Sequence, residues 1–317
     1  MVVRNLIGLL AALWMAISGD AIRAEPPRIV VSIVPVHSLV AGVTAGVTDP
    51  VLLISGAGSP HGYYLRPSEM LAIARADAII WGGQELETVL SRPLKNLTGD
   101  ARVLTLLDLP TIRKLKVRKP GSWKTAGDRA AQNTDGTGAG KILSQFDPHI
   151  WLDPTNAMEI VHATAVLLAE LDPRNAHSYE RNESDTLQRI KDMDLILDAQ
   201  LSNIREVPFV VLHDAYQYFE NRFNLHAVGA IAASAEKPPS VRWLRALRER
   251  IFSVGAVCAF REPQMGSALV ETLSEDTDLR LGVLDPLGSS YTHGPDAYFE
   301  TMRANADALT RCLVKWE

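Results

Sequence analysis

The feature that most constrains the fold is an alternation of short β-branched runs with helical stretches, which occurs twice along the chain. In the first half the runs at 29–34, 51–54, 78–81 and 103–106 predict strands. In the second half the runs at 209–212, 227–231, 257–260 and 280–284 do the same. Helical patterns at about 67–75, 215–223, 240–252, 265–275 and 296–314 lie between or after them. Such alternation predicts an α/β fold with a mostly parallel sheet in each half.

A single long apolar stripe separates the two halves. It consists of residues at steps of three or four, namely Leu187, Ile190, Met193, Leu197, Leu201 and Ile204. A helix of about 30 residues with one buried face fits this spacing and would span roughly 45 Å. We therefore expect two Rossmann-like lobes, 25–172 and 205–317, joined by a rigid backbone helix at 173–204.

Two Asp-Pro pairs give the expected starts of helices. Asp153 and Asp172 each precede a proline, and an N-cap carboxylate followed by proline at the first helical position is a common way to begin a helix. Both aspartates are therefore predicted to be N-caps.

The first 24 residues have the pattern of a signal peptide. Arg4 is the positive start, residues 6–17 are an apolar stretch, and Ala24 is a small residue at a plausible cleavage point. A membrane-tethered form is the alternative. The formal net charge of −5 falls to about −6 without residues 1–24, which carry two Arg and one Asp, and this excludes a nucleic-acid binder on charge grounds.

An exported chain with two cysteines is expected to oxidise them. A disulfide between Cys258 and Cys312 is the leading interpretation, and two separate buried thiols are the alternative. The segment at about 113–145 is predicted to be a flexible basic loop. Its residues 113–141 hold eight Lys/Arg against two Asp, with no histidine and no cysteine.

Four short stretches carry candidate chemistry: SPHGYYLRPSE with His61, FDPHIWLDP with His149, VVLHDAYQYF with His213, and GVLDPLGSS with Asp285. Three of these residues lie at or after the carboxyl ends of predicted strands, where open α/β sheets bind ligands. Three imidazoles and one carboxylate suit tetrahedral Zn²⁺. The spacings of 88, 64 and 72 residues contain no local zinc motif, so the site would form only on folding.

The stretches SPHGYYLRPSE, DPHIWLDP, HDAYQYF, EPQ and LDPLG, in this order, resemble the zinc-specific substrate-binding proteins of bacterial ABC importers, the cluster A-I (cluster 9) family. The resemblance covers essentially the whole mature chain. It implies two α/β lobes joined by one long rigid helix, with the metal in the cleft between them. His61 and His149 match the ligands of the first lobe, and His213 matches the histidine that marks zinc members. Asp285 matches an acidic ligand with which a water or a nearby acidic residue can compete.

The resemblance further implies a non-enzymatic periplasmic receptor with Zn²⁺ as its transported ligand. Its partner would be an ABC membrane permease with a cytoplasmic ATPase, and we expect the receptor to be a monomer. A periplasmic zinc chaperone or adhesin is one alternative, and a zinc-dependent hydrolase is another, which would need an open coordination position and a general base. Many zinc members carry a histidine-rich loop where this chain has its basic loop, so we expect no secondary metal store here.

The other polar residues near these stretches are given smaller roles. Asp147 is expected to orient the ring of His149, and Trp151 and Tyr216 to pack beside the ligands. His293 is the candidate for a transient metal-capturing group, and His37 for a supporting or entry group near the cleft. Glu236 is an acidic loop residue that is expected to be exposed, with an approach to the cleft as the alternative. The histidines at 162, 177 and 226 are expected to lie on the surface or in the core.

Overall fold

The computed structural model describes residues 25–55, 58–118, 123, 146–232, 239–275 and 277–314. Within these residues the chain forms two four-stranded sheets, and every strand pair in them is parallel. The prediction of a two-lobed α/β fold is therefore confirmed.

The eight strands agree closely with the sequence-based prediction. They are β1 Ile29–Ile33, β2 Val51–Ile54, β3 Ala78–Trp81, β4 Arg102–Thr105, β5 Phe209–His213, β6 Ala227–Ala232, β7 Cys258–Arg261 and β8 Arg280–Val283. The helices are α1 Val34–Thr44, α2 Pro67–Ala74, α3 Ser91–Lys95, α4 Pro154–Leu171, α5 Ala176–Leu201, α6 Gln217–Phe223, α7 Val241–Val254, α8 Ala268–Ser274 and α9 Ala297–Leu313.

The two sheets have the same topology. The first has the order β2-β1-β3-β4 and the second β6-β5-β7-β8, so in each lobe the first strand lies inside the sheet. All residues of β1, β3, β5 and β6 are buried, which explains their continuous apolar runs, because a parallel strand is covered on both faces. The carboxyl end of β5 falls at His213.

The long helix α5 joins the lobes at the back of the molecule. It has 26 residues and a length of about 39 Å. It packs on α1 and α4 of the first lobe and on α9 of the second, and α9 also packs directly on α1. Ile190, Met193, Leu197 and Leu201 of the predicted stripe are buried, whereas Leu195 and Ile196 face outward. The lobes therefore share a continuous helical layer.

Two local features differ from the sequence-based prediction. The first predicted strand ends at Ile33, and Val34 begins α1, because Pro35 favours the first turn of a helix. Asp153 caps α4 by accepting the Thr155 N–H at 2.9 Å, as predicted. Asp172 makes no such cap, and α5 begins only at Ala176, after a 3₁₀ turn. The Asp172 carboxylate instead accepts hydrogen bonds from the side chains of Asn175 and Tyr179.

Some sequence-based predictions fall outside the described residues: the signal peptide at 1–24, Glu236, and the basic loop from 119 onward except for residue 123. No helix among the described residues combines the length and apolar character that crossing a membrane requires.

A disulfide links Cys258 of β7 to Cys312 of α9, as predicted. It closes a segment with a sequence separation of 54 and ties the C-terminal helix to the sheet of the second lobe. We predict that replacing both cysteines with serine lowers the free energy of unfolding by about 4 kcal/mol, because the unfolded chain regains the entropy of the closed loop.

Urea unfolding of the oxidised protein and of the double variant measures this difference. Reductant should lower the stability of the wild-type chain by a similar amount and leave the variant unchanged. Equal unfolding free energies for the two oxidised samples would contradict the prediction.

Candidate metal centre

Three histidines from distant parts of the chain meet between the lobes. His61 lies on the short 3₁₀ turn Pro60–Gly62 after β2. His149 precedes the 3₁₀ turn Ile150–Leu152, and His213 is the last residue of β5. Their ring centroids are 5.5 Å (61 to 149), 6.0 Å (61 to 213) and 5.0 Å (149 to 213) apart. Each ring offers one nitrogen within 4.8 Å of the other two. Among the described residues this is the one group of three or more donors with such geometry.

These nitrogens need only a small inward movement to share one ion. Zinc–imidazole bonds of about 2.0–2.1 Å in a tetrahedron place two ligand nitrogens roughly 3.4 Å apart. The adjoining cavity has a volume of about 20 Å³, which is room for about one water molecule or one ion. Pro286, Leu287 and Met265 line it together with the three histidines. The geometry therefore suits a single small ligand.

A carboxylate holds the far side of the His149 ring. Asp147 Oδ1 lies 2.7 Å from His149 Nδ1 and accepts the backbone N–H of the same residue at 3.0 Å. With Nδ1 donating to Asp147, the His149 lone pair is on Nε2, the nitrogen left for a metal. This confirms the orienting role predicted for Asp147. The indole of Trp151 packs against the same ring at 5.4 Å between centroids.

A second carboxylate holds His213 in the same way. Both oxygens of Glu262 lie 3.1–3.2 Å from His213 Nδ1, and the Glu262 side chain is 3% exposed. This residue is not among those to which the sequence-based prediction gave a role. Its signal was the EPQ stretch, because Glu262 directly follows the carboxyl end of β7, the neighbour of β5 in the sheet.

The electrostatics of the two rings differ. Burial, and then the proximity of His213, lower the pKa of His149 well below its usual value. Burial also acts to lower the pKa of His213, but the carboxylates of Glu262, Asp214 and Asp147 together outweigh it, Glu262 most of all, and the pKa is raised. Burial raises the pKa of the Asp147 carboxyl to about 7, against the opposing effect of the hydrogen bond from His149. Without a metal, His213 is therefore the ring of this pair that more readily takes up a proton.

Asp285 does not join the cluster in this structure. Its Oδ1 accepts from the Gln264 side chain at 2.6 Å and from the Leu287 and Gly288 N–H groups, both at 2.9 Å. Its Oδ2 accepts the Ser289 N–H and hydroxyl at 2.8 and 2.9 Å. The carboxylate thus closes the turn after β8, and only Pro286 and Leu287 of that turn line the cavity. The structure brings together three of the four predicted ligands.

The remaining histidines lie away from the cluster. His162 pairs with Glu183 at 2.7 Å on the surface, and His177 is exposed near Glu180. His37 is buried with Nε2 2.9 Å from the Pro50 carbonyl, and its ring lies 6.4 Å from that of His293. Neither member of this pair belongs to the three-histidine group.

The chain matches known proteins over almost its whole length. The family model described as "Zinc-uptake complex component A periplasmic" matches residues 29–312. The "High-affinity zinc uptake system protein ZnuA" of Brucella abortus (strain 2308) is 37% identical, over 97% of this chain and 98% of that protein. The protein of the same name from Paracoccus denitrificans (strain Pd 1222) is 34% identical, over 92% of this chain and 93% of its own length.

Solved structures agree on the fold. A crystal structure of ZnuA superposes with a TM-score of 0.75 at 22% identity, covering 92% of this chain and all of the other. FpvC from Pseudomonas aeruginosa, solved in complex with Mn²⁺, gives 0.74 at 22% identity over 91% of this chain and 99% of its own. The laminin-binding protein of Streptococcus agalactiae, described as an adhesin with metal transporting activity, gives 0.74 at 22% identity over 92% and 100%. Because the neighbours include proteins with different ligands, the shared fold does not by itself identify the metal.

The raised pKa of His213, compared with the lowered pKa of His149, should affect how Zn²⁺ binding depends on pH. Protons compete with a metal for His213, and a raised pKa lets them compete from a higher pH. Replacing Glu262 with Gln removes the carboxylate that raises this pKa. We therefore expect the pH midpoint of Zn²⁺ binding to move downward in Glu262→Gln.

Competition with a zinc-binding dye between about pH 5 and 8 measures the midpoint. Glu183→Gln, which removes the partner of the surface residue His162, is the matched control and should leave it unchanged. A Glu262→Gln profile that coincides with the wild-type curve, or moves to higher pH, would contradict this assignment.

Proposed function

The chain belongs to the family of the periplasmic zinc-uptake complex component A, and we propose that it binds one Zn²⁺ ion with His61, His149 and His213. It would then deliver this ion to a membrane permease. The relatives at 34–37% identity are named as high-affinity zinc uptake proteins. They place the chain among binding components of an uptake system, with zinc as the transported ligand, and not among enzymes.

The observation that carries the site assignment is the convergence of three imidazoles from both lobes. His61 and His149 come from the first lobe and His213 from the second. Neutral imidazole is a good ligand for Zn²⁺, whereas Mn²⁺ prefers oxygen donors. A site made of imidazoles therefore favours zinc.

We propose that water, and not Asp285, completes the shell in this arrangement. Moving the Asp285 carboxylate onto the ion would leave the N–H groups of Leu287, Gly288 and Ser289 without their acceptor, which costs free energy for each group. Three neutral imidazoles leave the ion with its full charge of +2. Glu262 and Asp147 offset this charge through the rings they contact.

A hydrolase needs an open position on the metal and a general base beside it. A water ligand would meet the first condition. The carboxylates of Asp147 and Glu262, however, are engaged with ring nitrogens of His149 and His213, and the family is named for uptake. The geometry and the family together support a receptor.

Uptake requires partners that this chain does not supply. We propose an ABC permease and its ATPase as these partners, and a periplasmic location that agrees with the family description. Cleavage of a signal peptide near Ala24 and action as a monomer stay predictions. Release would follow separation of the lobes, because withdrawal of His213 leaves only two imidazoles on the ion.

The site assignment predicts the effect of removing one imidazole. His149→Ala and His213→Ala should each weaken Zn²⁺ binding on the order of 1,000-fold, about 4 kcal/mol, because a ligand and its bond are lost. Calorimetry should show one ion per wild-type chain. His162→Ala, a histidine on the surface of α4, is the control and should bind normally. Wild-type affinity in either of the two site variants would show the assignment to be wrong.

The proposed water ligand predicts a different result for Asp285→Asn. Asparagine keeps an oxygen for the turn, so the folded structure should persist. The affinity for Zn²⁺ should change by less than about tenfold, which is 1.4 kcal/mol. A loss as large as that of His213→Ala would place Asp285 on the metal and refute the water ligand.

A further inference from the structure

A short segment of the first lobe crosses to the second lobe beside the metal centre. We call residues 113–118 the inter-lobe strap. At its start the backbone of Arg113 exchanges two hydrogen bonds with the side chain of Asn156 on α4, at 2.9 and 3.0 Å. Further along, the Leu115 N–H donates to the hydroxyl of Tyr218 on α6 at 2.9 Å. The strap is thus fixed to both lobes.

The strap ends in a buried ion cluster. The guanidinium of Arg118 donates to both oxygens of Asp214, with Nε at 2.9 and 3.0 Å, and to both oxygens of Glu220, at 2.6 and 3.0 Å. The three side chains are only 9%, 13% and 1% exposed. Two buried carboxylates of the second lobe therefore depend on one cation that the first lobe supplies.

An aromatic ring covers this cluster. The Arg118 guanidinium carbon lies 3.4 Å from the ring centroid of Trp123, in position for a cation–π interaction. Trp123 is in turn held on the second lobe, where its backbone N–H donates to the Val228 carbonyl of β6 at 3.3 Å. Its carbonyl accepts from Arg250 of α7 at 3.2 Å. Arg118 is therefore enclosed on the second lobe from two sides.

The strap also contacts the supports of two zinc ligands, one in each lobe. On the first lobe, the Asp147 N–H donates to the Leu115 carbonyl at 2.8 Å, and the Asp147 carboxylate holds His149. On the second lobe, Arg118 binds Asp214, which directly follows His213. Tyr218 joins the two sides, because its hydroxyl also donates to the Asp147 carbonyl at 2.9 Å. One continuous network thus links the backbone next to both ligands.

We propose that Arg118 is a positioning residue that sets how slowly the bound metal leaves. The proposal rests on the function proposed above. Separating the lobes would have to withdraw the guanidinium from two buried carboxylates, which are costly to leave unpaired. While Arg118 stays in place, the end of β5 with His213 is held against the segment that carries His149. The strap therefore acts after capture, on release.

The test is the kinetics of Zn²⁺ binding and release in Arg118→Lys. Lysine keeps the positive charge and loses the planar fork that binds two carboxylates at once. We expect release into excess chelator, followed by stopped flow, to become about 10–100 times faster, with the association rate unchanged. The thermal midpoint of the metal-free protein reports whether the variant is folded.

Arg222→Lys is the matched control. Arg222 is on α6, the helix that carries Tyr218 and Glu220. It pairs with Asp194 of α5 at 2.8 Å, away from the strap. Its release rate should stay at the wild-type value. If Arg118→Lys fails to fold, Tyr218→Phe decides instead, because it removes only the hydroxyl that joins Leu115 to Asp147, and its release should also be faster.

The proposal is overturned if folded Arg118→Lys releases Zn²⁺ within about twofold of the wild-type rate, a free-energy difference of only about 0.4 kcal/mol. Where Arg118→Lys does not fold, the same result in Tyr218→Phe overturns it. An equal acceleration in Arg222→Lys would also overturn it, because general loosening of α6 would then explain the effect. If the wild-type chain binds no Zn²⁺, the proposed function itself is refuted. If the wild type binds Zn²⁺ but the variants release it at the wild-type rate, only the proposed role of Arg118 is refuted.

Discussion

Two buried carboxylates, each hydrogen-bonded to the Nδ1 of one histidine, are the constraint on which the proposed metal centre depends. Asp147 holds His149 in the first lobe and Glu262 holds His213 in the second. Both rings are thereby fixed in orientation, with Nε2 left for a ligand. In the proposed site the carboxylates would act on the ion through the imidazoles, so the donors would be nitrogens, which favour zinc over manganese. Protons would compete with the metal mainly at His213, whose pKa is raised, and not at His149, whose pKa burial lowers.

The fold places these supports by joining the lobes at three levels. At the back, α5 and α9 pack with α1 and α4 into one helical layer. In the middle, the Trp151 indole donates to the Pro286 carbonyl at 2.8 Å, and the Tyr298 hydroxyl donates to the Trp151 carbonyl at 3.1 Å. Beside the site, the strap ends in the buried Arg118 cluster. A receptor must both hold and release its ligand. In the proposed release step the helical layer would keep the lobes together while the smaller polar contacts near the cavity break.

The sequence predicted the layers of the fold from its apolar runs, whereas the set of three histidines rested mainly on the resemblance to a known family. Buried parallel strands need continuous apolar runs, and a histidine at the end of such a run, as at position 213, conflicts with burial unless it has a partner. What the sequence does not show depends on tertiary contacts. Asp285 was predicted as a ligand because it follows a strand and matches an acidic ligand of the family that the chain resembles. Its carboxylate accepts four hydrogen bonds from its own turn and one from the Gln264 side chain, which the sequence does not show. Glu262 and Arg118 received no role, since their partners are 49 and 96 or more residues away.

The most direct measurement is X-ray absorption spectroscopy at the zinc edge on the loaded wild-type protein and on His213→Ala. We expect a four-coordinate ion with three imidazole nitrogens at about 2.0–2.1 Å and one oxygen in the wild type, and one imidazole fewer in the variant. A wild-type spectrum dominated by oxygen ligands, or one that His213→Ala leaves unchanged, would contradict the claim that imidazoles from both lobes converge on one ion.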